Sequence, residues 1–289
     1  MPQLEEFNRH RPLLFSIAYR MLGSVMDAED IVQEAFLRWQ SAAEDEIQSP
    51  KAYLSTIVTR LCIDQLRSAK AQREQYIGIW LPEPLVDRQP DAGEQVVLSE
   101  SLSLAFLVLL EQLTPLERAV FLLREVFDYD YAEIARIVGR SEAACRQLLH
   151  RARQRITDGR PRFTATQEQQ RRVTALFFQA CASGDMQGLL TLLAEDITVW
   201  SDSGGLVPAA RRPVRGCHNV ARFLLGLARH APADLAIVPA QINGQAGFIT
   251  YIGGRPQSVV ALEIAGERIQ AIRIVVNPEK LRAVPALGG

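Results

Sequence analysis

A pair of prolines, Pro82 and Pro84, sets the strongest limit on how this chain can fold. A proline within a helix removes a backbone donor and clashes with the preceding turn, and it pushes the residue before it towards extended geometry. The sequence on both sides of the pair shows helical spacing of apolar residues, so the prolines separate two helical blocks. The connector, residues 78–86, also contains Trp80 and Leu81. Because a plain spacer would be polar, we expect this stiff apolar strip to pack against another part of the protein.

Capping signals divide the helical blocks further. In the first block, the spacing predicts helices that begin near Leu4, Asp27 and Pro50. In the second block, it predicts one helix over residues 94–113, followed by a helix that opens with a capping box at Thr114. Two helices separated by a short turn end the second block, and three more helices with a set of β-branched strands, separated by Asn-Gly and Gly-Gly turns, complete the chain. The expected fold is multidomain, with two all-α domains followed by an α+β domain.

Composition excludes several classes of protein. The 289 residues are 48% hydrophobic and 22% charged, which is ordinary for a globular protein with more than one domain. No apolar run is long enough to span a bilayer, and the N-terminus lacks a secretory pattern, so we expect a cytoplasmic protein without a membrane partner. The four cysteines are scattered without a C-x-x-C motif, which predicts reduced thiols, no structural zinc and no cofactor.

The stretch Tyr131–Ile156 has the pattern of a helix-turn-helix motif. Gly139 lies where the sharp turn needs a positive φ. Between Arg140 and Arg162 there are seven arginines against two acids, although the net charge of the chain is −1. A basic, exposed second helix is the geometry that places side chains in the major groove of DNA. The other interpretation is a helical hairpin with a solvated arginine face.

The outward positions of this second helix supply the candidate DNA contacts. They are Ser141, Glu142, Arg146, Gln147, His150, Arg151 and Arg153. Arg146 and Gln147 are placed to reach base edges, whereas the arginines further along are expected to contact phosphates.

Two faces of the first block carry opposite charge. The second helix presents a mainly acidic face that suits a basic protein partner and repels DNA, made of Asp27, Asp30, Gln33 and Glu34. The third helix presents a basic stripe with an aromatic residue beside it, made of Tyr53, Arg60, Arg67, Lys70 and Arg73. Cationic and aromatic side chains together are typical of surfaces that hold unpaired bases. Ordinary solvated carboxylates are the plainer interpretation of the acidic face.

These segments resemble the extracytoplasmic-function (ECF) sigma factors of bacterial RNA polymerase. "AYRMLGSVMDAEDIVQEAFLRWQ" is similar to their regions 2.1–2.2, and "SPKAYLSTIVTRLCIDQLRSAKAQRE" to regions 2.3–2.4, which handle the promoter −10 element. "LTPLERAVFLLREVFDYDYAEIARIVGRSEAACRQLLHRARQRI" is similar to region 4, which reads the −35 element. The resemblance covers nearly all of residues 5–157 in the family's order.

The resemblance implies a role for each charged face. The acidic face would bind the clamp coiled coil of the polymerase β′ subunit, and region 4 would meet the β flap. The basic stripe would contact the −10 element, with the loop 44–50 capturing a flipped base. Many members of the family have asparagine at the position of Arg60, so this chain departs from the usual pattern there.

The C-terminal segment resembles the SnoaL-like, NTF2-like cone fold, in which a curved sheet wraps around helices. The stretches "WLPEP" and "VVNPEKLR", with "SDSGGLV" as a third, are similar to those of the sigma factors that carry such an extension. We expect the connector to dock on this domain and so fix the relation between regions 2 and 4. The residues expected to make this contact are Trp80, Leu81, Pro82, Pro84, Asp202, Gly204, Gly205, Asn277, Pro278, Lys280 and Leu281. A merely rigid linker is the alternative.

The expected domains are region 2 at 1–77, the linker at 78–93, region 4 at 94–162 and the C-terminal domain at 163–289. The predicted function is promoter-directed transcription initiation, with this last domain acting as an attached regulator in place of a separate anti-sigma protein. A ligand-sensing DNA-binding regulator is the main alternative, and an enzyme with a DNA-binding appendage is a third. For that third possibility, Asp202, His218 and Tyr251 are the available acid and base groups. A small-molecule pocket in the C-terminal domain also stays open.

Overall fold

The computed structural model describes residues 2–42, 47, 49–73, 76–87, 101–157 and 165–288. The chain forms two compact units. Unit 1 contains residues 1–75 and 105–160, and unit 2 contains residues 76–104 and 161–289. Both helical blocks therefore belong to one unit, whereas the connector belongs with the C-terminal segment. None of the helices in the described ranges is both long and apolar enough to cross a membrane.

Three helices are described in the first helical block of unit 1. They are α1 (Pro2–Leu22), α2 (Val25–Gln40) and α3 (Pro50–Arg73). Ser24 caps α2 by accepting a hydrogen bond from the amide of Asp27, so the helix starts two residues before the predicted position. The core between the helices is apolar and includes Leu14, Ile17 and Leu54.

In the second helical block the described residues form four helices. They are α4 (Leu104–Leu110), α5 (Pro115–Glu125), α6 (Tyr131–Val138) and α7 (Glu142–Thr157). The capping box at Thr114 is confirmed, and Gly139 adopts the left-handed conformation expected at the end of α6. The predicted helix over 94–113 is wrong for residues 101–103 and 111–113, which form turns before and after α4, while residues 94–100 lie outside the described part. Ser101 and Ser103 favour turns over helix interiors, which apolar spacing alone does not register.

In the part of unit 2 that the structure describes, three helices pack on one mixed sheet. The helices are α8 (Gln167–Ser183), α9 (Met186–Leu192) and α10 (Cys217–Arg229). The strands are β1 (Val86–Asp87), β2 (Leu193–Asp202), β3 (Val214–Arg215), β4 (Ala236–Ile242), β5 (Gln245–Ile252), β6 (Arg255–Ala265) and β7 (Arg268–Val275). Their order in the sheet is β1-β4-β5-β6-β7-β2-β3, and the pair β2 and β7 is parallel while the other neighbours are antiparallel.

Side chains alternate between the two faces of the sheet along each strand, and the apolar side chains of one face pack against the helices. Val260, Leu262 and Ile264 of β6 join the core that contains Phe177 of α8 and Leu224 of α10. This arrangement of helices and sheet agrees with the α+β cone class predicted for the C-terminal segment. The connector contributes the edge strand β1, which pairs with β4. One part of the connector is therefore built into the sheet of unit 2.

Candidate functional site

The outward face of α7 has the exposure predicted for a recognition helix. The seven candidate residues from Ser141 to Arg153 are all exposed, while Cys145, Leu149 and Ala152 are buried against the rest of the motif. Arg146 Nη2 donates to Glu142 Oε2 at 2.8 Å, and its guanidinium lies 4.8 Å from the ring centre of Tyr131. Both contacts are on the surface, so Arg146 can exchange them for a base at little cost.

The arginines at the end of α7 differ in their surroundings. Arg153 donates to Glu125 Oε1 at 2.7 Å. Arg155 donates at 2.5 Å to Glu117, the buried carboxylate that also completes the capping box of α5. Arg155, which the sequence suggested as a phosphate contact, is therefore engaged in holding α7 onto α5. Exposed Gln147, His150 and Arg151 remain on the outer face.

The acidic face of α2 has an apolar component that sequence reasoning missed. Asp30 and Gln33 are exposed, Asp27 and Glu34 are half-buried, and Glu34 accepts a hydrogen bond from Arg38 at 2.9 Å. Met26 and Leu37 are about half exposed, at 48% and 54%. They lie four residues before Asp30 and four after Gln33, so all four side chains follow one helix face. Apolar residues on both sides of carboxylates are suited to a protein partner.

The basic stripe of α3 is described only in part, and its described side chains contact other residues of unit 1. Arg67 pairs with Asp64 at 3.2 Å, and the side chains of Lys70 and Arg73 lie outside the described part, as does most of the loop 44–50. Tyr53 packs beside Trp39 with ring centres 5.9 Å apart.

Arg60 makes the contact that most changes the interpretation of this stripe. Its Nε donates to the carbonyl of Ile137 at 2.9 Å and its Nη2 to the carbonyl of Arg136 at 3.0 Å. These carbonyls end α6, the first helix of the helix-turn-helix, where the helix dipole favours a cation. The arginine predicted to contact −10 DNA is thus bonded to the second helical block of the same unit.

Two buried contacts reinforce the packing of the helical blocks in unit 1. Ser55 Oγ and the hydroxyl of Tyr129 share a hydrogen bond of 2.7 Å. Arg118 Nη1 donates to the carbonyl of Met21 at 2.6 Å and also pairs with Glu111 at 2.8 Å. Burial lowers the pKa of Arg118 to about 10, so this arginine still carries its charge at neutral pH.

In unit 2, the connector is bound by a buried carboxylate, Asp202, at the end of β2. This side chain is fully buried. Its two oxygens accept four hydrogen bonds, from Tyr76 Oη at 2.5 Å, Gly204 N at 3.1 Å, Leu81 N at 2.7 Å and Lys280 Nζ at 2.7 Å. Burial, and then the bond to Asp202, raises the pKa of Tyr76. We call Asp202 and these four donors the carboxylate node.

Lys280 completes the node from the C-terminal side. Its ammonium also donates to the carbonyl of Leu81 at 2.5 Å and lies 4.6 Å from the ring centre of Trp80 and 5.0 Å from that of Tyr76. An ammonium between two aromatic faces gains cation–π attraction in addition to the ion pair. Asn277 donates from Nδ2 to the hydroxyl of Tyr76 at 3.0 Å.

The remaining residues that were predicted to join the connector to the C-terminal domain differ in their burial. Pro82, Pro84 and Leu281 are buried, whereas Pro278 is exposed. Gly204 has φ +58°, and a Cβ there would lie 2.6 Å from Asn277 Nδ2. Gly205 has φ +76°, and a Cβ would lie 3.0 Å from Ile77. The glycine pair thus lets the chain turn directly beside residues 76–77.

Asn243 forms a second attachment that the sequence did not reveal. It occupies the Asn-Gly turn between β4 and β5 with φ 52° and is buried. Its Oδ1 accepts from Leu85 N at 3.0 Å, and its Nδ2 donates to the carbonyl of Leu102 at 2.9 Å. One amide side chain therefore bonds both the residue just before β1 and a residue of the turn before α4. The only sequence signal was the Asn-Gly pair, which indicates a turn and no partner.

The three candidate catalytic groups of unit 2 have separate surroundings. Asp202 belongs to the carboxylate node, His218 is exposed at the start of α10, and the hydroxyl of Tyr251 donates to the carbonyl of Pro285 at 3.2 Å. Within the described ranges, no group of three or more His, Cys, Asp or Glu side chains could hold a metal ion.

Comparison with known proteins identifies the helical blocks. Residues 7–72 match the family model "Sigma-70 region 2", and residues 103–156 match "Sigma-70, region 4". The chain is 39% identical to the ECF RNA polymerase sigma factor SigJ of Mycobacterium tuberculosis, covering 98% of this chain and 94% of the relative. It is 34% identical to the probable ECF sigma factor SigI of the same species, covering 100% and 98%.

The fold agrees with these sequence matches. The crystal structure of Mycobacterium tuberculosis SigJ matches with a TM-score of 0.78 at 37% identity, covering 98% of this chain and 99% of that one. The correspondence extends through both helical blocks and the C-terminal sheet domain. The protein is therefore a member of the extracytoplasmic-function family of RNA polymerase sigma factors, with an α+β extension after region 4.

Proposed function

We propose that this sigma factor acts in the cytoplasm as the promoter-reading subunit of RNA polymerase, and that unit 2 regulates it in cis. The observation that carries the regulatory part is that the connector between regions 2 and 4 is bonded to unit 2 at the carboxylate node and at Asn243. A connector held at Leu81 and Leu85 limits how far regions 2 and 4 can separate. The regulator is thus part of the same chain, and a separate anti-sigma protein is not required.

The exposed face of α2 is the proposed contact with core polymerase. Asp30 and Gln33 are exposed between Met26 and Leu37, so the face offers carboxylate and apolar surface together. Such a face suits a helical protein partner with basic residues, and the clamp coiled coil of β′ is the partner proposed for it. Region 4 would meet the β flap.

Promoter reading is assigned to α3 and α7. The exposed face of α7 would enter the major groove at the −35 element, with Arg146 and Gln147 at base edges. The stripe of α3 would contact the −10 element once Arg60 leaves the carbonyls of α6. The compact form of unit 1 is therefore proposed as a resting state that opens on binding to polymerase and promoter.

Unit 2 is proposed to act by binding rather than by catalysis. Asp202, the strongest acid candidate, is fully buried and its oxygens are occupied by four donors. An acid used in this way holds structure and does not face a substrate. A cofactor has no role in this proposal.

Run-off transcription with purified core polymerase tests the regulatory proposal. Lys280→Met removes the ammonium of the node while keeping an apolar stem of similar length. Arg282→Met is the matched control, because Arg282 is exposed and pairs only with Glu279 at 3.9 Å among described residues. We expect Lys280→Met to raise transcript yield severalfold at limiting core, because regions 2 and 4 separate more easily. Equal yields from Lys280→Met, Arg282→Met and the unaltered protein would exclude regulation through the node.

A further inference from the structure

Unit 2 carries a long acid-free segment rich in arginine. Residues 203–233 contain no Asp or Glu. The segment contains five arginines, all exposed: Arg211, Arg212, Arg215, Arg222 and Arg229. We call these five the arginine face. A cluster of one sign on a chain of net charge −1 produces a local positive potential that attracts a polyanion.

The packing of α10 places this charge on its outer side. Val220, Ala221 and Leu224 are buried in the core of unit 2, so Arg222 and Arg229 lie on the opposite side of the helix. Asn219 connects the helix to the strand before it, because its Nδ2 donates to the carbonyl of Arg215 at 2.9 Å. Its Oδ1 accepts from Arg222 Nη2 at 2.6 Å. The side chain of Arg222 is therefore partly ordered before any ligand arrives.

None of the five arginines has a carboxylate partner among the described residues, in contrast to several cations elsewhere in unit 2. Arg172 pairs with Glu267, and Arg273 pairs with Glu263. Two exposed carboxylates, Glu195 and Asp196, occur on the neighbouring strand β2, and neither pairs with the arginine face. Its charge is thus available to an outside partner.

The spacing of the arginines fits a nucleic-acid backbone. Arg222 and Arg229 lie seven residues apart on α10, which corresponds to a rise of about 10.5 Å along the helix, and Arg215 ends the strand just before it. One strand of B-DNA carries about three phosphates over that length. Arginines at this interval can each meet a phosphate along a strand, which gives affinity without base preference.

Duplex DNA is the polyanion that fits this face best, because only a short stretch of chain separates unit 2 from the proposed DNA-reading helix of region 4. Only nine residues, 158–166, join α7 to α8, and a connection of that length spans at most about 35 Å, close to one turn of DNA. We propose that the arginine face binds the phosphate backbone of promoter DNA just upstream of the −35 element. The domain that regulates the sigma factor would then also add to promoter affinity, in the manner of a second linked binding module.

Holoenzyme binding to two templates tests this proposal. A promoter is first selected from a random duplex library by run-off transcription with the wild-type holoenzyme. One template ends directly upstream of the −35 element, and the other continues for about 20 base pairs, or two helical turns. The variant is Arg215→Ala, Arg222→Ala and Arg229→Ala together. The control removes three other exposed arginines of unit 2: Arg171→Ala, Arg255→Ala and Arg268→Ala.

We expect upstream DNA to tighten binding of the wild-type and control holoenzymes and to have no such effect on the variant. The gain in affinity that the upstream DNA provides should fall by about 40-fold between 50 and 200 mM salt, as expected for three phosphate contacts. All three holoenzymes should bind and transcribe the short template equally, which measures sigma function separately. Retention of the gain by the variant would overturn the proposal. Weaker association of the variant with core polymerase, without DNA, would also overturn it in favour of a protein partner.

Discussion

The two units hold their functional residues with contacts of different strength. In unit 2, Asp202 is fully buried and accepts four hydrogen bonds, one from the ammonium of Lys280. In unit 1, Arg60 and Arg146 are exposed and bind a helix end and a neighbouring carboxylate. Removing one partner of a buried charge pair costs several kcal/mol, whereas exposed pairs contribute at most about 1 kcal/mol. The difference agrees with the proposal that unit 1 exchanges its contacts for DNA while unit 2 keeps the connector.

Asp202→Ala is expected to have the largest effect on stability. It leaves the Lys280 ammonium and three further donors without their acceptor, which we expect to cost about 3–5 kcal/mol in the opening free energy of the connector. Hydrogen exchange resolves both units in one sample, and amides of residues 76–86 should lose protection while those of α1 and α2 keep it. Asp196→Ala, an exposed carboxylate on the same strand, is the control. A cost below 1 kcal/mol would mean that contacts other than those of Asp202 hold the connector in unit 2.

Two substitutions at Asn243 sharpen the comparison within unit 2. Asn243→Gly keeps the positive φ of the turn and removes both side-chain bonds. Asn243→Asp keeps an acceptor for Leu85 N but turns an oxygen towards the carbonyl of Leu102. We expect a loss of about 1–2 kcal/mol in each case.

The two Asn243 variants should differ in where protection is lost. Hydrogen exchange near Leu85 and in residues 101–104 should increase in Asn243→Gly, whereas Asn243→Asp should affect residues 101–104 most. Identical patterns in the two variants would mean that the Leu102 bond contributes nothing of its own.

The sequence predicted the local features of both units well. Thr114 opens a helix by its capping box, Gly139 takes the left-handed turn, and the order of helices and strands in unit 2 follows from apolar spacing. Each of these depends on residues within a few positions of one another, which periodicity and capping rules describe. The turns at residues 101–103 and 111–113 are exceptions, because the apolar spacing of α4 continues past both ends of the helix.

The partners of the candidate residues were not predictable in the same way. Tyr76 lies 126 positions from Asp202, and Arg60 lies 77 positions from Ile137. Periodicity indicates which side of a helix is buried but does not indicate which distant atom meets a given side chain. The contact of the connector with the C-terminal segment was expected only through resemblance of short stretches, and Asn243 had no such stretch to indicate it.

Tyr76→Phe tests the carboxylate node through the pH dependence of the stability of the fold. The unfolded tyrosine has a pKa of about 10, and the folded value is raised because of burial and the bond to Asp202. The neutral phenol therefore stabilises the fold below pH 10, and this stabilisation is lost as pH rises beyond 10. We expect the variant to lose about 1 kcal/mol at pH 7 and to show a shallower loss from pH 9.5 to 11. Guanidinium unfolding followed by tryptophan fluorescence measures both, and parallel curves for the two proteins would contradict the assignment.

Arg60→Ala should have the smallest effect on stability and a clear effect on the opening of unit 1. Its two bonds lie at an exposed position, so we expect a loss of about 0.5–1 kcal/mol, which corresponds to a two- to fivefold larger open population. Energy transfer between dyes on α2 and α7 reports that population in the free protein. Arg67→Ala is the control, because Arg67 bonds Asp64 on its own helix. If Arg60→Ala left the distance distribution unchanged, the buried Ser55–Tyr129 and Arg118 contacts would hold the blocks together, and unit 1 would be as firmly fixed as unit 2.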